Sequence, residues 1–124
     1  MTAARLADGL DGQVAGLESV WDDGLGTAYA FYRPRACPEV ALAAALVEAA
    51  ASLQGLGGPA PAPARLLLGD LCLARASRLL AETRDQRLQV RFAQAVERVA
   101  SAAAGGPPAE PLREQLLAAI AAGS

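Results

Sequence analysis

The chain has 124 residues, 53% of them hydrophobic and 4% aromatic, with 13 acidic against 11 basic side chains and a formal charge of −2. That length fits one domain, and the apolar share is enough to fill its core. A near-neutral balance without a basic run excludes a nucleic-acid binder of the electrostatic kind.

Thr2 can cap a first helix. Leu6, Leu10, Val14, Leu17 and Trp21 then recur at helical spacing, an amphipathic stripe. Gly9, Gly12 and Gly16 weaken it by up to about 1 kcal/mol each relative to Ala. Asp22-Asp23-Gly24 closes it. Thr27–Tyr32 fits either a short helix or an extended piece. Arg33-Pro34-Arg35 should end that piece, because a residue before proline avoids the helical region. Trp21, Tyr29, Phe31 and Tyr32 crowd this stretch, with Arg33 and Arg35 beside them. Two readings fit: an aromatic cluster capping the core, or a partner-binding patch of the residue types favoured at interface centres.

Pro38 suits the first turn of the next helix, about Pro38 to Gln54. Leu42, Leu46, Ala49 and Leu53 form its main face, Val40 and Val47 lie opposite, and the alanines admit close neighbours. Gly55 to Pro63 is a loop, stopped by Gly-Gly-Pro and drawn out by Pro-Ala alternation. Leu66 to Glu82 carries seven leucines and is apolar around most of its circumference. It is expected to be the rod around which the bundle forms. Arg78 and Glu82 are spaced as an i,i+4 pair. Asp70 lies apart from them, beside Ala74, Ser77 and Ala81. It either bonds a neighbouring element or faces a ligand cavity. Thr83 and Gln86 have capping-box spacing for the following helix. In that helix Leu88, Phe92, Ala95, Val96, Val99 and Ala103 share one face. Gly105-Gly106-Pro107-Pro108 is a second break. A last helix starts near Pro111, with Glu110 placed against its dipole. The expectation is an all-α, single-domain bundle of about five helices over residues 1–124, with largely antiparallel neighbours.

The composition narrows the chemistry. All basic residues are Arg; His, Lys and Asn are absent. There is therefore no imidazole base, no His metal ligand, no Schiff-base lysine and no phosphate-loop lysine. Asp22 and Asp23 diverge by about 100° on a helix and make no magnesium clamp. No catalytic or metal-binding residue is assigned, and no cofactor is expected on this chain. Arg and Asp break each apolar run before the ~20 residues of a membrane span. Cys37 and Cys72 make no disulfide framework, and the N-terminus lacks a signal-peptide shape. Free thiols in a cytoplasmic protein are the expectation.

Gly69, Asp70, Leu73, Ala74, Ala76, Leu79, Leu80 and Ala81 form the pattern G-D-x-x-L-A-x-A-x-x-L-L-A. This segment resembles a helix of the trans-prenyl diphosphate synthases. Leu42–Leu53 is similar to the helix leading into that family's first aspartate-rich motif, with Ala49 where a histidine is usual. The two stretches cover about a third of the chain. The family's diphosphate-binding aspartates would fall near Leu56 and Gly57, and its arginine pair and second aspartate motif have no counterpart. The resemblance therefore implies a motif-free small subunit of a heteromeric, long-chain polyprenyl diphosphate synthase. Such a subunit binds a catalytic subunit through helix packing, and the magnesium belongs to that partner. Ala51 and Ser52 fall where the family limits product length by side-chain size. With Asp70 they are the candidate product-channel residues. The alternatives are a helical interaction module or homodimer without an isoprenoid role, and a carrier of an apolar ligand.

Overall fold

The computed structural model describes residues 7–55 and 61–123. Thr2 and Leu6 of the expected first stripe, and Leu56 to Ala60 of the first loop, lie outside them. Among the described residues the chain is built of helices joined by turns and has no strand. Its helices are α1 (Glu18–Val20), α2 (Gly26–Tyr32), α3 (Pro38–Leu53), α4 (Pro63–Thr83), α5 (Gln86–Ala103) and α6 (Leu112–Gly123).

The first stripe does not form one α-helix. Ala7–Val14 winds as a 3-10 segment, and Gly16 turns left-handed at φ 83°. A single α-turn, α1, follows and opens into a π turn over Trp21–Leu25, where the Gly26 N–H bonds the Trp21 carbonyl. Gly24 makes the kink at φ 152°, a conformation that side chains disfavour. The apolar spacing still does its work. Leu10, Val14, Leu17 and Val20 are all buried despite the change of winding.

Thr27–Tyr32 is helical, within α2. Arg33 also keeps helical angles (φ −55°, ψ −41°) in spite of the following proline. The chain leaves only at Ala36, after a 3-10 turn over Arg33–Arg35. The preference against helix before proline is a bias, and one tight turn tolerates it.

The hub of the bundle is α3. Pro38 occupies its first turn, as its missing N–H allows. Val40 to Val47 is buried without interruption, and Ala50 and Leu53 extend the contact. This corrects the expectation that 66–82 is the organising rod. Along α4 only Gly69, Cys72, Ala76, Leu79 and Leu80 are buried. Leu66 is 42% and Leu67 70% exposed. The side that α4 turns to solvent carries Asp70, Ala74, Ser77 and Ala81. Four consecutive turns of alanine let α2, α4 and α6 approach α3 from several directions. A leucine-rich surface would hold those neighbours farther off.

The α3–α4 pair makes the most extensive contact among the described helices, and Gly69 permits close approach. A Cβ at that position would stand 2.9 Å from Gln54 Cγ. After α4, Arg84 takes the left-handed conformation at φ 58° and reverses the chain. The cap of α5 is Asp85, whose carboxylate accepts from Leu88 N–H at 3.0 Å. The Thr83–Gln86 box is thus replaced by a neighbour two residues on. Thr83 Oγ1 instead donates to the Leu80 carbonyl at 2.6 Å and accepts from Asp85 N–H at 3.2 Å. The expected Arg78–Glu82 pair does not form, and both side chains are exposed. Among the described residues no helix is long and apolar enough to cross a membrane.

Candidate functional site

Two arrangements stand out, one polar and one apolar. The polar one is built on Glu48, where α3 meets α2 and α6. Arg113 of α6 grips its carboxylate with two parallel bonds, Nε to Oε2 at 2.8 Å and Nη2 to Oε1 at 2.9 Å. Tyr32 adds a hydrogen bond from its hydroxyl to Oε2. Burial, then the bond to Glu48, raises the Tyr32 phenol well above its ordinary range, so it stays a donor. The same carboxylate holds Arg113 firmly in its charged form.

Phe31 completes this cluster. The guanidinium carbons of Arg35 and Arg113 each sit 4.1 Å from its ring centroid, and Tyr32 meets it edge-on at 5.1 Å. Arg35 also donates to the Phe31 carbonyl, and Arg33 to the Ala36 carbonyl at 3.0 Å. Both Glu48 oxygens are therefore occupied by groups of the same chain. The arrangement is a latch that fastens the last helix to the hub.

The six residues read as a partner patch divide. Tyr29 and Tyr32 are buried, and Tyr32 is fully so, which corrects their placement on a surface. Trp21 is half-buried, tilted against Tyr29 at 5.9 Å, and its indole covers Gly26. Phe31 is half-buried, while Arg33 and Arg35 are exposed. The core-capping reading therefore describes most of the cluster.

Nor do the three product-channel candidates converge. Ala51 borders a void of about 10 Å³ beneath Val99 and Leu112, room for no more than one water. Ser52 is exposed and lines a different hollow of about 200 Å³, between Asp23 and Arg65. Asp70 is exposed and accepts from Gln54 Nε2 at 3.3 Å. Its expected bond to a neighbouring element is thus present, on the solvent side of α4.

The apolar arrangement is a groove of about 500 Å³ between α4 and α5. Leu73, Ala76 and Leu80 form one wall, and Phe92 and Val96 the other. Val47 of the hub reaches its floor. Val90 stands at the rim, 53% exposed. The two helices touch only sparingly along their length, and that separation leaves the groove open. Its volume falls within the range of ligand and peptide sites. Sequence reading missed it because the leucines of α4 were all assigned to a core. The exposed Val90, opposite the buried face of α5, was the available signal.

A third feature has no signal in the sequence pattern. Arg75 reaches from α4 to the 3-10 segment and donates to the carbonyls of Gln13 at 2.6 Å and Ala15 at 3.1 Å. A longer bond of 3.4 Å goes to Gly12. It satisfies the carbonyls that the broken first helix leaves without partners. Among the described residues no group of three or more Cys, Asp or Glu side chains could hold a metal ion. Compared with known proteins, the chain matches no family model, no curated protein and no solved structure.

Proposed function

We propose that this chain is a non-catalytic helical subunit that works by packing against a partner protein. The observation that carries the reading is the open α4–α5 groove, continued by the bare Leu66 and Leu67 at the start of α4. Apolar surface gathered in one place, rather than scattered singly, marks a surface meant to be covered.

The partner class we propose is the catalytic subunit of a long-chain polyprenyl diphosphate synthase. The support is the Gly69–Ala81 pattern and the tight α3–α4 pairing that Gly69 allows. The magnesium and the diphosphate then belong to the partner. Ser52 and Asp70 are exposed, so a product channel would run between the subunits and not inside this one. Co-expression with a synthase that carries both aspartate-rich motifs tests this. More product, or longer product, than from the synthase alone is expected. An unchanged product profile with no co-purification overturns it.

The same groove also suits an interaction module without an isoprenoid role. Size exclusion with light scattering, combined with a pull-down on the synthase, separates the two. A chain that ignores the synthase and forms a stable homodimer belongs to the second reading.

A further inference from the structure

The geometry points to a binding site for a free amino acid with an apolar side chain, in the hollow where the π turn, α2 and α3 meet the start of α4. The site lies apart from the α4–α5 groove and does not draw on the partner-subunit reading.

Size sets the scale of the ligand. The hollow has a volume of about 200 Å³. At about 30 Å³ per water it holds the equivalent of roughly seven waters, less than the ~300–1,000 Å³ of sites for drug-sized molecules. A ligand of roughly seven to nine non-hydrogen atoms fits such a space, which is the size of valine or leucine. Val20, Leu25, Ala28 and Leu53 line the hollow and are buried, so its floor is apolar.

Charge sets the two ends. Asp23 and Arg65 line the same hollow, are exposed and carry opposite charges. They do not pair with each other: among the described residues the one ion pair is Arg113 with Glu48. Asp23 has no hydrogen-bond partner among the described residues. Arg65 makes one bond, from Nη2 to the Ser52 carbonyl at 3.3 Å, which leaves most of its guanidinium donors open. Glu48 also reaches the hollow, but Arg113 and Tyr32 occupy its oxygens, so it adds no open charge. An apolar floor with an unpaired carboxylate and an open guanidinium on its rim matches a zwitterion. The ammonium goes to Asp23, and the carboxylate to Arg65 and the Ser52 hydroxyl.

The backbone gives a separate indication. Asp23, Gly24 and Leu25 belong to the π turn, and Gly24 holds φ 152° within it. Crowding does not demand glycine there, since a Cβ at Gly24 would meet nothing within 4 Å. Single π turns and outlying backbone angles recur where a chain is shaped for function. Here the turn forms the wall of the hollow that carries Asp23.

The test titrates leucine into the whole chain and follows the amide shifts by two-dimensional NMR. Saturable shifts are expected in residues 20–28, 49–53 and 65, around the hollow. Leucinamide lacks the carboxylate, isocaproate lacks the amine, and glycine lacks the apolar side chain. Each should bind at least about tenfold more weakly than leucine. Asp23→Asn should remove the preference for leucine over isocaproate and keep the preference over leucinamide. Arg65→Gln should do the opposite. Both residues are exposed, so the circular dichroism of each variant should match that of the parent. The absence of saturable shifts overturns the inference, as do shifts centred on α5. Equal binding of leucine and its three analogues also overturns it. So do variants that leave both preferences unchanged.

Discussion

Helices α3 and α4 are both made largely of alanine and leucine, yet one is a hub and the other a wall. In α3 buried positions point in every direction, and neighbours pack on all sides of it. In α4 they occupy one strip, and the opposite side meets water. Leucine count ranks them the wrong way round. Alanine density decides the outcome, because a thin rod can be surrounded by helices at close range while a thick one cannot. Polar placement agrees. The charges of α3, Glu39 and Glu48, sit at its start and at the latch, whereas α4 spreads Asp70, Arg78 and Glu82 over its exposed arc.

Truncating one leucine in each helix is the sharpest way to break this contrast. Leu46 is fully buried in α3, so Leu46→Ala should cost about 2–5 kcal/mol. Leu67 is 70% exposed, and Leu67→Ala should stay within about 0.5 kcal/mol. Urea unfolding of both variants reads the difference. Equal losses would return the hub to α4.

The latch comes next in size. Glu48→Ala leaves the buried Tyr32 hydroxyl without its acceptor and Arg113 without its counter-charge. A loss of about 2 kcal/mol is expected, moderated by the partial exposure of Arg113. Tyr32 also sets an alkaline limit. Its pKa is raised on folding, so its contribution is full below the ordinary phenol value of about 10 and is lost as pH rises beyond it. Tyr32→Phe should flatten the decline of stability above that pH. An unchanged alkaline limb would mean that the phenol is not held neutral by the fold.

Much of the fold was legible because it is written locally. Pro38 at a helix start, the Gly105–Pro108 break and the buried spacing of Leu10, Val14 and Leu17 depend on neighbours a few residues away. The latch was not legible. Glu48 meets Arg113 65 residues later, and nothing in the periodicity of either helix announces the partner. Arg75 is similar, since its acceptors are backbone carbonyls that exist only because the first helix breaks. Asp70 was half legible. Its bond to a neighbouring element is present through Gln54, but Ala74, Ser77 and Ala81 around it face solvent. Small size is compatible with both surroundings, and only the neighbours choose.

Arg75 gives the third and more local prediction. Arg75→Ala removes bonds to carbonyls at the end of the 3-10 segment, and about 1–2 kcal/mol should go with them. Hydrogen exchange should quicken in residues 10–20 and stay unchanged in α5. A uniform increase would show instead that the N-terminal segment unfolds with the whole domain.

The two thiols report on the hub and wall at the smallest energetic cost, because nothing need be mutated. Cys37 is exposed just before α3, and Cys72 lies buried on the strip of α4 that packs into the core. Burial pushes the Cys72 thiol up to about 11, with Arg75 opposing. A thiol reagent near neutral pH should therefore modify Cys37 at once and Cys72 only when α4 lifts away. The pH dependence follows from the sign of the shift. Stability from the neutral Cys72 is complete below the unfolded thiol value of about 8.5 and declines as pH climbs through about 11. Labelling of Cys72 should accelerate over that window by more than the growing thiolate fraction of an unfolded chain explains. If Cys72 reacts as fast as Cys37 at neutral pH, the α4 strip is not sealed, and the wall is only loosely attached to its hub.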